Sequence, residues 1–144
     1  MATYNSDMIA QNNVRVGPHV GISTVAYFAT VSCTAAISTS DTANFFVVPK
    51  GFRVMYALLY ATDMDTGGPT LTINIGDSGD ADRIFAASTV GGTGTLSTAM
   101  AVTAAGYLYT ADTTITGVAN ANATTPAAGT ITLCLIGRYE GTAS

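Results

Sequence analysis

Along "TLTINIG", residues 70 to 76, apolar and polar side chains alternate without a break: Leu71, Ile73 and Ile75 against Thr70, Thr72 and Asn74. A period of two is the mark of a strand with one face buried and the other wet. "STVAYFATVSC" carries the same signal, with Val25, Tyr27, Ala29, Val31 and Cys33 on one side of a pleat. "NFFVV" follows the loop "ISTSDTA", and a turn at Pro49 to Gly51 leads into "FRVMYALLYA". There Val54, Tyr56, Leu58 and Tyr60 alternate with Arg53, Met55, Ala57 and Leu59, so both faces are largely apolar. Such a strand is either central or turns its second face to a partner.

"RIFAAS" reads as a strand anchored by Ile84 and Phe85, and is the one place where a short helical turn would fit. The Gly-rich "GGTGTLST" predicts a loop, followed by strands at "MAVTA", "YLYT" and "TTITGVA". "GTITLCLIGRY" closes the series with Ile131, Leu133 and Leu135 on one face. About eight short strands, punctuated by Gly, Pro, Asp and Asn and with no sustained 3.6-residue period, predict an all-β fold. An antiparallel β-sandwich, most naturally a jelly roll, is the expected architecture. Residues 1 to 20 read as an extended polar arm ending in "VGPHVG", and residues 21 to 144 as a single domain.

Composition sharpens this picture. Of 144 residues only 10% are charged, against roughly 25% in ordinary soluble domains, while 48% are hydrophobic. A chain with so few charges has little to keep its surface solitary, which predicts that much of its outside touches other protein. The net charge of −4, with Arg15, Lys50, Arg53, Arg83 and Arg138 scattered, excludes a phosphate-binding patch and direct nucleic-acid contact. No apolar run reaches the roughly 18 residues of a membrane helix. The opening segment lacks a signal-peptide layout, so synthesis in a cytoplasm is expected. Cys33 and Cys134 lie far apart in strand-like runs and read as buried free thiols.

"GDSGDADR", residues 76 to 83, matches in its first four letters the surroundings of a serine-protease nucleophile. Ser78 would need a histidine base and an orienting carboxylate, and the only histidine is His19, in a turn beside Pro18. The match is fortuitous, and no enzyme is expected. Asp77, Asp80 and Asp82, with Asp63 and Asp65 of "TDMDTGG", are the candidates for a calcium site, since hard cations favour clustered carboxylate oxygens. The spacing is not that of an EF-hand, and glycine-permitted turns with aspartate-to-amide bonds account for the same residues. No cofactor and no metal are expected. Tyr107 and Tyr109, two apart in "GYLYT", share a face and would suit either packing or a sugar.

The linear order carries a further signal. "VPKGFRVMYALLYATD" is followed by "TLTINIGDSGDADRIFAAS", then "GYLYTADTTITGVAN" and "AAGTITLCLIGRYE". Over residues 44 to 140 this resembles small bacteriophage virion proteins of the capsid decoration, or cement, kind. The resemblance implies a jelly-roll subunit, trimeric or dimeric, on the outer surface of the virion. There it binds the major capsid protein, bridges neighbouring subunits and stabilises the shell. It carries no catalytic residues. Candidate contacts are Met8, Ile9, Val14, Arg15 and Val16 of the arm, and Met55, Leu59, Tyr107 and Tyr109 of the sandwich. The competing expectation is a carbohydrate-binding, lectin-like module of a tail or fibre, possible with calcium on the acidic loops.

Overall fold

The computed structural model describes residues 1–5 and 24–140. Nine strands run in the order β1 (Thr3–Asn5), β2 (Thr24–Cys33), β3 (Thr42–Val48), β4 (Phe52–Ala61), β5 (Thr72–Asp77), β6 (Asp80–Ser88), β7 (Leu96–Ser97), β8 (Thr113–Ala121) and β9 (Gly129–Tyr139). Among the described residues one short helix, α1 (Val90–Thr93), precedes β7. The strands form two sheets, one of order β1-β3-β8-β5-β6 and one of order β2-β9-β4-β7.

The pairing is nested: β5 with β6, β4 with β7, β3 with β8 and β2 with β9, all antiparallel. A long hairpin rolled on itself into two sheets is the eight-stranded jelly roll that the strand spacing predicts. The exception is β1, which lies parallel on the outer edge of β3, pairing Thr3 with Thr42 and Asn5 with Asn44. The first five residues of the expected arm therefore belong to the sandwich. His19 and the arm candidates Met8, Ile9, Val14, Arg15 and Val16 lie outside the described residues.

The core fills from the inward faces. Leu71, Ile73 and Ile75 are fully buried, as are Val31, Leu133 and Leu135 from the facing sheet. Tyr27 stacks on Phe46 with ring centroids 5.2 Å apart and meets Phe52 edge-on at 5.3 Å, joining the two sheets. Burial and the nearby Asp112 charge push the Tyr27 phenol up to about 12, so it stays neutral.

Three features depart from the simple alternation. In β4 the register with β9 steps from Val54–Gly137 to Tyr56–Ile136, leaving Met55 as an extra residue. This β-bulge swaps the faces midway. Phe52 and Val54 are buried before it, Ala57, Leu59 and Ala61 after it, and Met55 and Tyr56 both face outward. A side chain on Gly137 would collide with the Arg53 carbonyl, so glycine is what lets β9 pass the bulge. Second, "RIFAAS" is strand throughout, and the helical turn forms instead at Val90–Thr93. Third, "MAVTA" and "YLYT" are not strands. The latter makes one bridge, Arg53 to Leu108, with Tyr109 N–H donating to the Phe52 carbonyl and Val54 N–H to the Tyr107 carbonyl.

A second bulge sits in β6. Ile73 pairs with Ser88 and Ile75 with Phe85, so β6 carries one residue more than β5 over this stretch. Within it Ala87 has φ of 47°, and its N–H donates to Asn74 Oδ1 at 2.7 Å. The left-handed region costs a side-chain-bearing residue about 1–2 kcal/mol, and glycine adopts it freely. Ala87→Gly is therefore expected to raise the unfolding free energy by about 0.5–1 kcal/mol after its own entropy cost. Urea denaturation checks this, as a higher midpoint at unchanged slope. An unchanged or lower midpoint would mean that neighbouring contacts absorb the strain.

Candidate functional site

The acidic turn is built from its backbone upward. Asp77 and Asp80 pair at the end of the β5–β6 hairpin, leaving Ser78 and Gly79 as a two-residue connection. Asp77 Oδ1 accepts the Gly79 N–H at 2.8 Å and the Asp80 N–H at 3.1 Å, closing the turn with a side chain. Its other oxygen accepts Arg83 Nε at 2.6 Å and the Tyr109 hydroxyl at 3.2 Å. The Arg83 guanidinium then lies 3.9 Å from the centroid of the Tyr107 ring, a cation–π contact. A side chain on Gly76 would strike the carbonyl of Asp80, so the turn needs glycine there too.

Asp77 is thus the hub of a buried network. Burial alone raises its pKa, but the Arg83 hydrogen bond, the Gly79 amide, the Arg83 charge and the Tyr109 hydroxyl together hold it below the ordinary carboxylate value. Asp82 moves the other way, because it hydrogen-bonds Asp80 and shares its negative surroundings. Ser78 is exposed at the tip of the turn, with no base beside it among the described residues.

Asp63 and Asp65 do not join this group. They sit in the β4–β5 connection, at the opposite end of β5 from Asp77, Asp80 and Asp82. Asp65 is 2% exposed and spends both oxygens on its own chain. Oδ2 accepts Thr70 N–H, Thr70 Oγ1–H and Leu71 N–H, while Oδ1 accepts Thr125 N–H at 2.9 Å. Burial works to raise its pKa, yet these donors hold it well below the usual range. Asp63 Oδ1 accepts the Asp65 N–H. The five aspartates are therefore not gathered at one place. Among the described residues no group of three or more His, Cys, Asp or Glu side chains converges for a metal.

The sandwich contact candidates separate into two kinds. Leu59 is fully buried by the β4 bulge, which turns it inward, and so presents nothing to a partner. Tyr109 is likewise buried under Asp77. Tyr107 meets Tyr109 edge to face at 5.0 Å, so the two rings form no common platform. Met55, in contrast, is exposed.

Met55 belongs to a wider surface that the strand pattern only partly announces. The register places Ala26, Ile136 and Tyr56 in one row, Phe28, Cys134 and Leu58 in the next, and Thr30, Thr132, Tyr60 and Leu96 in a third. All point away from the core. Phe28 is 55% exposed and Leu96 57%. The outer face of the other sheet bears Thr72, Asn74, Thr114, Thr116 and Asn120, with Val47 and Val118 among them. It is the more polar of the two outer faces. The signal in the sequence was β9, whose "TITLCLIG" is apolar on both parities, as β4 also is.

Cys33 faces inward and Cys134 outward, on rows of the sheet far apart, and both are free. Burial, then the Asp41 charge, pushes the Cys33 thiol up to about 11. Cys134 is raised by burial alone and is only half-buried, not enclosed as its run suggested.

Removing the hub leaves the largely buried Arg83 with only Asp80, 3.7 Å away, as an ionic partner, so Asp77→Ala is expected to cost about 3 kcal/mol of stability. Because the folded Asp77 pKa is depressed, its contribution is fully present above about pH 4 and is lost as pH falls through the lower folded value. Urea melts from neutral to acid pH should show a shallower acid decline in the variant. A wild-type acid limb in Asp77→Ala would exclude this residue as a source of acid sensitivity. Since Asp65 and Asp77 are already saturated by donors, millimolar calcium is expected to leave the melting temperature of the wild-type chain where chelator leaves it. A calcium-dependent rise would reinstate the metal site.

Similarity to solved structures falls on one kind of particle. A chain in the capsid of Ralstonia phage GP4 is 27% identical, with 98% of this chain and 99% of that one covered and a TM-score of 0.82. A chain in the capsid asymmetric unit of cyanophage Pam1 is 32% identical over 88% of this chain and 94% of that one, with a TM-score of 0.73. The capsid of Helicobacter pylori bacteriophage KHP30 contains a chain sharing the fold, at 15% identity over 83% and 94% and a TM-score of 0.51. No family model and no curated protein matches the chain. Being 32% identical to the Pam1 chain over most of both lengths, with the same sandwich, this chain belongs to the family of bacteriophage virion proteins found in the Pam1 and GP4 capsids.

Proposed function

We propose that the chain is a capsid decoration protein, which binds the outer surface of the shell, bridges major capsid subunits and stabilises the particle. The observation that carries this reading is the end-to-end match to a capsid chain, 98% of one against 99% of the other. The sandwich matches a chain of a capsid structure along almost the whole length of both. A subunit that binds the assembled shell and not the free capsid protein shifts the equilibrium towards the shell, by about 4 kcal/mol per site at a thousandfold excess over Kd. Copies joined as dimers or trimers add their weak contacts together. The net charge of −4 suits the outside of the particle better than the genome side.

The proposed role is structural and non-enzymatic. Among the described residues no base stands beside Ser78, and Glu140, the only glutamate of the sequence, is held between Arg53 and Arg138. The lectin reading loses its supports. Tyr109 is buried, Tyr107 lies beneath Arg83, and the acidic loops are occupied by their own amides.

Purified particles provide the test. Quantitative mass spectrometry is expected to count this chain at the same order as the major capsid protein. Particles stripped of it should release their DNA at lower temperature, and adding the purified chain back should restore the wild-type profile. A handful of copies per particle would move the chain to a tail or vertex. Full copy number with an unchanged heat profile would remove the stabilising role.

A further inference from the structure

We propose that β1 is a releasable strap: a single catch, the Asp41 carboxylate, fastens it to the edge of the sandwich and lets it go when that carboxylate takes up a proton. The inference rests on these contacts alone and not on where the particle uses the protein.

The jelly roll closes without β1. The four nested antiparallel pairs account for β2 to β9, and β1 stands outside that scheme, laid parallel on the margin of β3. Its three residues place Thr3 and Asn5 in solvent and only Tyr4 half-buried against the core. Apart from the catch, Thr42 N–H donates to the Ala2 carbonyl at 3.0 Å and Asn44 Nδ2 donates to Asn5 Oδ1 at 2.8 Å. So short a parallel strand gains few ladder bonds to offset the order it accepts. It belongs to the part of a fold that opens locally, at lower cost than the whole.

Asp41 supplies what the strand lacks. It is buried in the β2–β3 connection, and its two oxygens divide the work. Oδ2 accepts the Ser38 N–H at 3.0 Å and the Ser38 hydroxyl at 2.8 Å, which holds the carboxylate to its own loop. Oδ1 accepts the Ala2 N–H at 2.7 Å, the shortest of the polar contacts that reach β1. An ionised acceptor makes such a bond roughly twice as strong as a neutral one. A proton on either oxygen would face a donor already aimed at it, so protonation loosens the catch.

The surroundings leave this carboxylate in control. Among the described residues the titratable groups that face it are the Met1 ammonium, on the strap itself, and the Cys33 thiol at the end of β2, which stays neutral. Residues 34 to 40 carry no charge, nor does Asn122, which accepts the Thr39 N–H from the far side of the loop. The Ala2 amide first, then the Ser38 hydroxyl, hold the Asp41 pKa below the ordinary carboxylate value. A depressed folded pKa means that the fastening is fully present above about pH 4 and is lost as pH falls through the lower folded value. Asp65 and Asp77 take their donors from loops that join core strands, so their protonation weakens the whole sandwich. Asp41 alone of the three fastens a strand at the margin. With β1 away, the β3 edge at Thr42 to Asn44 is open to a further strand.

Amide hydrogen exchange of the full chain, followed residue by residue by NMR from pH 7 to pH 2, tests the proposal. The Thr42 amide reports the strap, since its acceptor is the Ala2 carbonyl, and the amides of β9 report the sandwich. Thr42 protection is expected to fall about tenfold in acid, with the midpoint at which the Asp41 carboxyl carbon titrates, while β9 stays the more protected at every pH. Asp41→Asn should lower Thr42 protection about tenfold already at pH 7, abolish its acid step and leave the far-UV circular dichroism unchanged. Ser38→Ala, which keeps the carboxylate, should move the Asp41 midpoint and the release together to higher pH. A Thr42 amide that opens only when β9 opens overturns the strap. Protection indifferent to Asp41→Asn, or an acid step that survives in that variant, overturns Asp41 as its catch.

Discussion

Strand β9 is hydrogen-bonded along both edges for nearly its whole length, to β2 from Thr24 to Cys33 and to β4 from Phe52 to Ala61. This double pairing is the constraint on which the sandwich depends. It fixes which of each strand's two faces is inward, because a slip of one residue would exchange every buried side chain for an exposed one. The single place where β4 departs from strict pairing is the extra Met55, and Gly137 of β9 stands opposite to admit it. The second sheet is tied to the first through the contact of Tyr27 with Phe46.

The acidic character of the chain has an internal use. Asp41 accepts the Ala2 N–H, the Ser38 hydroxyl and the Ser38 N–H, so it ties β1 to the β3 edge. The Ala2 amide is the strongest of the influences that lower its pKa. Asp65 and Asp77 do the same for their loops. Three carboxylates thereby act as acceptors for backbone N–H groups that the connections between strands would otherwise leave unpaired. What reads in the composition as surface charge is in good part loop fastening.

Much of this was legible in the sequence. The alternation at Leu71, Ile73 and Ile75, and at Val25 to Cys33, names the buried faces without error, because period two has a single physical cause there. Bulges were not legible: an extra residue such as Met55 or Ala87 leaves no mark in hydropathy, and one inserted residue carried Leu59 from the expected surface into the core. Residues 100 to 104 and 107 to 110 read as strands, yet they belong to a segment that merely grazes β4. The aspartates were recognised as a group but could not be sorted, since their partners, Arg83, Tyr109, Thr70 and Thr125, are supplied by the fold. The two-faced apolarity of β4 was visible; its continuation over Phe28, Cys134 and Ile136 needed the register.

Nested pairing also imposes an order in time. The innermost hairpin, β5 with β6, joins residues only a few positions apart and can form as soon as both have left the ribosome. The outermost pair, β2 with β9, closes a loop spanning most of the chain, and β2 must wait unpaired until β9 emerges. Folding therefore runs from the middle of the sequence outward and finishes after synthesis, which makes it slow for a chain of this length. During that wait the β2 strand displays Tyr27 and Phe28 to solvent together, and the completed roll withdraws only the first of them.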